Sequence, residues 1–144
     1  LLGFLFHYLG DTIVKHHFLG VILVSIATLF LAGCPHQAMV YNVRNAPVAV
    51  NANQYSMDDI KKAIMRAGAG LGWSIREVAP GQLEGTLHLR KHMAQVDIPY
   101  SKHSYSVIYK ASDNLRYDGE KIHSNYNGWI QNLDKAIKTQ ISLL

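Results

Sequence analysis

The feature that most constrains the fold is a run of alternating apolar and polar residues between positions 73 and 110. The clearest stretch is Gln82 to Arg90, with Leu83, Gly85, Leu87 and Leu89 on one face and Glu84, Thr86, His88 and Arg90 on the other. Trp73 to Val78, Ala94 to Tyr100 and Ser104 to Lys110 read as further strands. Alternation with one polar face predicts a half-exposed antiparallel sheet. The short connections at 80–81, 91–92 and 101–103 predict hairpins, and so a meander.

Two segments with helical spacing flank this run. Ser56 is a good N-cap residue for a first helix, which we expect to end near Gly70. A second helix is expected from near Asn127 to about Ser142. The apolar positions that define the two helices are Met57, Ile60, Ile64, Ala67 and Leu71, and then Ile130, Leu133, Ile137 and Ile141.

The remaining segments read as one strand and one loop. Residues 39–43 and 47–50 are apolar, and we expect one strand that Asn45-Ala46-Pro47 interrupts, since proline cannot donate to a ladder. Residues 111–125 are expected to form a loop. One apolar sheet face needs a cover, and two amphipathic helices supply it. The sequence therefore predicts an α+β fold, a two-layer sandwich in which an antiparallel meander sheet of about four or five strands carries two helices on one face.

A basic and then apolar segment precedes this domain. Lys15-His16-His17 leads into an apolar run from Phe18 to Phe30, which Leu31-Ala32-Gly33-Cys34 closes. The run is shorter than the roughly 20 residues that span a bilayer, and small residues precede Cys34. This order is typical of an export signal over residues 1–33, cut before Cys34. The alternative is an uncleaved membrane anchor with a chance cysteine.

The tetrapeptide resembles the lipobox of bacterial lipoproteins, residue for residue. That resemblance implies lipidation of Cys34, through a diacylglycerol thioether on its sulfur and an acyl group on its amine after cleavage. Pro35 in place of aspartate resembles lipoproteins that move on to the outer membrane, where the domain would face the periplasm. We expect 34–38 to be a short tether and 39–144 to be a single α+β domain.

The residues before Lys15 do not fit an export signal, because they are apolar, carry Asp11 and contain no methionine. A bacterial start codon can encode valine and still be read as methionine. Initiation at Val14 would make residues 1–13 upstream sequence. The alternative is a longer leader with Asp11 in a loop.

Cysteine use and charge exclude several classes of protein. Cys34 is the single cysteine among 144 residues, so no internal disulfide forms, and a lipidated thiol is neither nucleophile nor metal ligand. The net charge is +4, and it is unchanged after Cys34 because Lys15 and Asp11 cancel. The charges are scattered, which argues against a nucleic-acid partner. A modest basic excess suits anionic headgroups or cell-wall polymer.

The element order resembles the helix-grip domains of lipoproteins that serve outer-membrane β-barrel assembly. The stretches 104–106 and 125–129 are similar to those of small Gram-negative lipoproteins. These resemblances imply an envelope location and no functional residue.

Candidate catalytic chemistry is sparse. His88 and His92 flank a tight turn and His103 lies one hairpin along, so a surface Zn²⁺ or Cu²⁺ site is conceivable, although solvent-facing histidines explain the pattern more simply. Glu84 and Asp97 read as single exposed acids. Serines near His103 lack an orienting acid and an oxyanion hole. We therefore expect no catalytic residues, no metal and no cofactor.

An aromatic and polar segment from Asp113 to Trp129 is the better candidate for binding. Its candidate contact residues are Arg116, Tyr117, His123, Asn125 and Tyr126. Rings and amides suit a glycan or a protein loop, although closure of the core under a long loop explains most of the rings more simply. The expected function is a lipid-anchored, non-catalytic binding or assembly module, held to the membrane through Cys34, whose partner is an envelope protein or a cell-wall glycan. The alternatives are an envelope hydrolase and a periplasmic metal-binding protein.

Overall fold

The computed structural model describes residues 36–48 and 54–144. The expected export signal at 1–33, Cys34, Pro35 and residues 49–53 lie outside the described residues. In chain order the elements are β1 (Gln37–Met39), β2 (Val43–Pro47), α1 (Met57–Gly70), β3 (Trp73–Ala79), β4 (Gln82–Leu89), β5 (His92–Pro99), β6 (Ser104–Asp113), β7 (Lys121–His123) and α2 (Ser124–Ser142).

The main sheet has five antiparallel strands in the order β2-β6-β5-β4-β3. Strands β3 to β6 follow one another through three hairpin turns, as the short connections predict. Both helices lie on one side of this sheet. The predicted α+β sandwich with a meander sheet is therefore confirmed.

The core lies between the helices and the apolar face of the sheet. Leu87, Val96 and Val107 come from three neighbouring strands, and Ile64 and Leu133 come from the two helices. All five are buried. The register pairs Val96 with Gly85, so that the apolar residues of β5 and β4 lie on the same face of the sheet. Every second side chain of these strands therefore enters the core.

Helix α1 has the limits that its sequence predicts. The Ser56 hydroxyl accepts the Asp59 backbone N–H, and the Asp59 carboxylate accepts the Ser56 N–H, which makes a capping box. The helix ends at Gly70. Near this end Gly68 packs so closely on Ile75 of β3 that a Cβ at position 68 would overlap the isoleucine side chain. A glycine is thus needed where α1 approaches the sheet.

Helix α2 begins at Ser124, earlier than the predicted start near Asn127. The N-cap is His123, whose ring nitrogen Nδ1 accepts the backbone N–H of Asn125 at 3.2 Å. Histidine is not among the preferred N-cap residues, so the sequence pattern missed this start. The predicted buried stripe is confirmed at Ile130, Leu133, Ile137 and Ile141.

The prediction of one interrupted strand is wrong over residues 39–48, and its last two residues lie outside the described ones. Strand β1 pairs with β7 in a separate two-stranded sheet, whereas β2 pairs with β6 at the edge of the main sheet. The ladder of β2 is irregular between Val43 and Ala46, where Asn45 has a φ of +49°. Pro47 is the last residue of this edge strand. Proline is tolerated there because the ladder does not depend on the N–H that it lacks. Because β1 begins at Gln37, the expected tether over 34–38 also extends too far.

The expected loop over 111–125 is shorter than its composition indicates. Strand β6 continues to Asp113, and β7 occupies 121–123. Ile122 of β7 is fully buried, and it pairs with Ala38 of β1. A three-residue strand gives too short a pattern to be recognised in sequence.

A buried polar contact joins α2 to the sheet. The Tyr105 hydroxyl of β6 donates to Asp134 Oδ1 at 2.6 Å, and Lys138 Nζ lies 2.7 Å from Asp134 Oδ2. Burial raises the pKa of Tyr105, and the hydrogen bond to Asp134 raises it further. A buried carboxylate needs such partners, so the contact fixes one position of α2 along β6.

We expect Leu133→Ala to destabilise the domain by about 2–5 kcal/mol, because it empties a closely packed site between helix and sheet. His88→Ala, on the uncovered sheet face, serves as the control and should change stability by less than about 0.5 kcal/mol. Urea midpoints measure both. Equal losses would mean that the assignment of the two sheet faces is wrong.

Candidate functional site

The segment between β6 and β7 is ordered by its own backbone and one carboxylate. Leu115 is buried, and its carbonyl accepts the His123 N–H at 2.9 Å. Asp118 Oδ1 accepts the backbone N–H groups of Lys121 at 2.7 Å and Glu120 at 3.0 Å. These donors lower the pKa of the Asp118 carboxyl. The segment therefore presents its exposed side chains from a defined backbone.

Most of the predicted binding residues lie near one another at this segment. Arg116 is exposed, and its carbonyl accepts from Gln37 Nε2 at 2.8 Å. Tyr117 is 38% exposed, and its hydroxyl donates to the carbonyl of Gly119 at 2.7 Å. Asn125 is exposed, whereas His123 is half-buried because its ring caps α2. Arg116, Tyr117 and Asn125 remain available to a partner.

The prediction that Tyr126 offers its ring to a partner is wrong. Tyr126 is fully buried, and its ring meets that of Tyr109 edge-on at 5.6 Å between centroids. Tyr109 also packs on Tyr117 at 4.2 Å. The Tyr126 hydroxyl has no hydrogen-bond partner among the described residues, and burial raises its pKa. Tyr126 is a core residue, and Tyr117 is the outer member of this aromatic cluster.

The three candidate metal ligands do not come together. The register pairs His88 with Met93 and Leu89 with His92, so the two histidines lie on opposite faces of the sheet. His103 belongs to the hairpin at the other end of β5. Within residues 36–48 and 54–144, no group of three His, Cys, Asp or Glu side chains is placed to hold a metal ion.

His92 instead joins a cluster that the sequence does not indicate. Its ring lies 6.2 Å from that of His123 and 6.4 Å from that of Trp129. His92 Nδ1 lies 2.9 Å from the carbonyl oxygen of Asn114, and since a carbonyl only accepts, Nδ1 carries the proton. These residues are far apart in the chain, so only the folded structure brings them together.

The uncovered face of the sheet carries a chain of ion pairs. Glu84 bonds to Arg76 on one side and to Lys110 at 2.7 Å on the other, and Lys110 also reaches Asp97 at 2.9 Å. Glu84 is only 5% exposed, so the prediction that it is a single exposed acid is wrong. Hydrogen bonds from Lys110 and then Arg76 lower its pKa against the opposing effect of desolvation. Side chains from four strands thus neutralise one another.

The serines near His103 serve the β5–β6 turn. Ser101 Oγ accepts the backbone N–H groups of His103 and Ser104, each at 3.1 Å. The Ser101 side chain therefore stabilises the turn that leads into β6. Ser106 Oγ accepts the Asn45 N–H at 2.9 Å, next to the irregular ladder of β2.

An open groove of about 380 Å³ lies between α1 and α2. Arg66 and Lys135 lie on its sides, and Arg66 Nε donates to Gln140 Oε1 at 3.0 Å. The residues lining it include two cations and no carboxylate or histidine. The groove therefore does not assemble an acid–base pair.

Comparisons with known proteins give no information on the function of this chain. No protein-family model, curated protein or solved structure matches the chain. In the part of the chain that the structure describes, neither helix is apolar enough over sufficient length to cross a membrane.

Glu84→Gln should make the domain less sensitive to acid. Because pairing lowers the folded-state pKa of Glu84, its stabilising contribution is present above the unfolded-state pKa of about 4.3 and is lost as the pH falls through the lower folded value. The variant should therefore be less stable at pH 7 and lose less on acidification. Urea midpoints between pH 7 and pH 3 measure this, with the exposed Glu120→Gln as control. Parallel pH profiles for wild type and Glu84→Gln would contradict the pairing.

Tyr126→Phe should leave stability unchanged or raise it by up to about 1 kcal/mol, because it removes a buried hydroxyl without a partner. Tyr126→Ala should cost about 3–5 kcal/mol, since it removes a whole buried ring. Thermal unfolding distinguishes the two. A marked loss in Tyr126→Phe would show that the hydroxyl is bonded in solution.

Proposed function

We propose that this chain is a lipid-anchored lipoprotein of the bacterial cell envelope, held in the outer membrane and facing the periplasm. The observation that carries the proposal is the order of a basic stretch, an apolar run and Leu31-Ala32-Gly33-Cys34. Lipid on Cys34 gives the membrane attachment. A single acyl chain holds a protein only marginally, whereas two or three hold it stably.

The start of the folded unit supports this proposal. The compact unit begins at His36, and β1 begins at Gln37. Cleavage before Cys34 would therefore fall ahead of this unit and place the modified residue two positions before His36.

The proposed activity is binding or assembly without catalysis. Arg116, Tyr117 and Asn125 are the predicted contact residues that the fold leaves exposed. A guanidinium, a phenol ring and an amide bind through hydrogen bonds and contact area. Arg116 and Tyr117 lie on the segment whose backbone is fixed by Leu115 and Asp118, and Asn125 lies in the first turn of α2, so little ordering is needed on binding.

Cys34→Ala should abolish palmitate incorporation and release the protein from the membrane fraction, with the precursor left uncleaved or the product soluble. Radiolabelled palmitate with membrane fractionation measures both. Wild-type protein without label on Cys34 would end the lipoprotein proposal.

Pro35→Asp is the matched variant for location. It keeps Cys34 and should keep the label, but it should move the protein from the outer-membrane to the inner-membrane fraction of a density gradient. Wild-type protein already in the inner-membrane fraction would contradict the proposed location.

A further inference from the structure

Three segments meet where the described chain begins, and we call this region the anchor end. The His36 carbonyl accepts the Ser124 N–H at 2.9 Å, which ties the first residue to the start of α2. Gln37 Nε2 donates to the carbonyl of Arg116. Asn114 Nδ2 donates to the carbonyl of Lys91 at 2.8 Å. The anchor end therefore comprises residues 36–37, the β4–β5 turn at 90–91 and the segment 114–121.

We propose that the anchor end contacts the anionic lipid headgroups of the membrane that holds the protein. This inference rests on the proposed lipidation of Cys34 and names the partner of the same exposed segment. Only Pro35 stands between Cys34 and His36. Two residues span at most about 7 Å, so an anchor on Cys34 keeps this end at the membrane surface whatever the conformation of the linkage.

The charge of the anchor end fits such a surface. Arg90, Lys91, Arg116 and Lys121 are exposed, and within residues 36–48 and 54–144 none of them forms an ion pair. Elsewhere in the described residues, Lys61, Lys110 and Lys138 are paired with carboxylates, whereas Arg44, Arg66, Lys102 and Lys135 form no ion pair. The anchor end thus holds four of the eight cations that form no ion pair among the described residues. Unpaired basic side chains near a bilayer are attracted to anionic headgroups.

Asp118 and Glu120 are the carboxylates of the anchor end, and Asp113 directly precedes it at the end of β6. Asp113 accepts from the Asn114 side chain, and Asp118 accepts two backbone N–H groups of its own turn. Glu120 is exposed beside Lys121. Hydrogen bonds from neutral N–H groups leave the carboxylate charge in place, so the four cations outnumber these three carboxylates by one.

Two of these cations occupy unusual backbone positions. Arg90 has a φ of +55° and Arg116 a φ of +54°, in the left-handed region that favours glycine. Arginine at such a position keeps a strained backbone where glycine would relieve it. Strain of this kind points to a role for the side chain. Both arginines lie at the anchor end. Arg90 is in the β4–β5 turn, and Arg116 is in the segment 114–121.

Apolar side chains lie next to these cations. Leu71 and Leu89 are 41% and 44% exposed, and with Trp129 they line a small cleft of about 100 Å³. Leu89 directly precedes Arg90. Apolar groups beside basic ones suit the boundary between headgroups and acyl chains.

The test measures which end of the lipidated protein approaches the bilayer. Once Cys34 carries lipid, it no longer reacts with thiol reagents, so one introduced cysteine takes a single fluorophore. Asn125→Cys places the label beside the anchor end, next to Ser124, which bonds to His36, and His103→Cys places it in the β5–β6 turn at the opposite end. The full lipidated chain is reconstituted in vesicles of phosphatidylethanolamine and phosphatidylglycerol that contain a headgroup-linked quencher.

We expect strong quenching at position 125 and at least several-fold weaker quenching at position 103. Arg90→Gly with Arg116→Gly should reduce quenching at 125 in anionic vesicles. Vesicles of neutral lipid should give this same reduced level with or without the substitutions. Glycine relieves the backbone at both positions, so the melting temperature should stay level or rise. Lys102→Ser with Lys135→Ser removes the same charge elsewhere and should leave quenching at 125 unchanged.

Equal quenching at the two label positions would overturn the proposal, since it would mean that the domain has no preferred orientation. The proposal would also be overturned if the glycine substitutions left quenching at 125 unchanged in anionic vesicles. The lipid tether alone would then explain why this end lies close to the bilayer. Mass spectrometry of Cys34 separates this failure from the failure of the proposed function. Protein without lipid on Cys34 would remove the premise of both.

Discussion

The structure depends on burial of the apolar sheet face beneath α1 and α2. Side chains of β3 to β6 and of both helices form one continuous core, in which Ile64, Val96 and Leu133 are fully buried. Apolar burial is the dominant favourable contribution to folding, and here it cannot be replaced by disulfides, since Cys34 is the single cysteine. The positions of all other elements follow from this contact.

Helix α2 carries that constraint from the core to the exposed segment. Tyr126 in its first turn packs on Tyr109 of β6, and the buried contact between Tyr105 and Asp134 fixes its middle. The start of α2 is then joined to His36 and capped by His123. Core packing therefore sets where the chain enters the fold and which side chains surround that point.

The two faces of the sheet use polar groups differently. On the covered side, Asp134 is satisfied by a tyrosine and a lysine next to the apolar core. On the uncovered side, Glu84 is enclosed by Arg76 and Lys110, which leaves a face of balanced charge. At the anchor end, in contrast, four cations have no ion-pair partner among the described residues. The uncovered sheet face therefore suits stability, whereas the anchor end suits an anionic partner.

The sequence by itself determined the parts of the fold that repeat over many residues. Alternation from 82 to 110 and helical spacing around Ile64 and Leu133 are periodic, so the sheet, the helices and their buried faces could be predicted. The Leu31-Ala32-Gly33-Cys34 tetrapeptide is likewise a local pattern, and it carries the functional proposal.

Only the tertiary structure decided which isolated polar and aromatic residues are buried or come together. Tyr126 and Glu84 read as surface residues, yet packing from distant segments buries both. His92 meets His123 rather than His88, because strand register places the first pair at one end and the second pair on opposite faces. The physical reason is that a periodic pattern depends on residues close together in the sequence. Burial and pairing depend on contacts between residues that are far apart in the sequence.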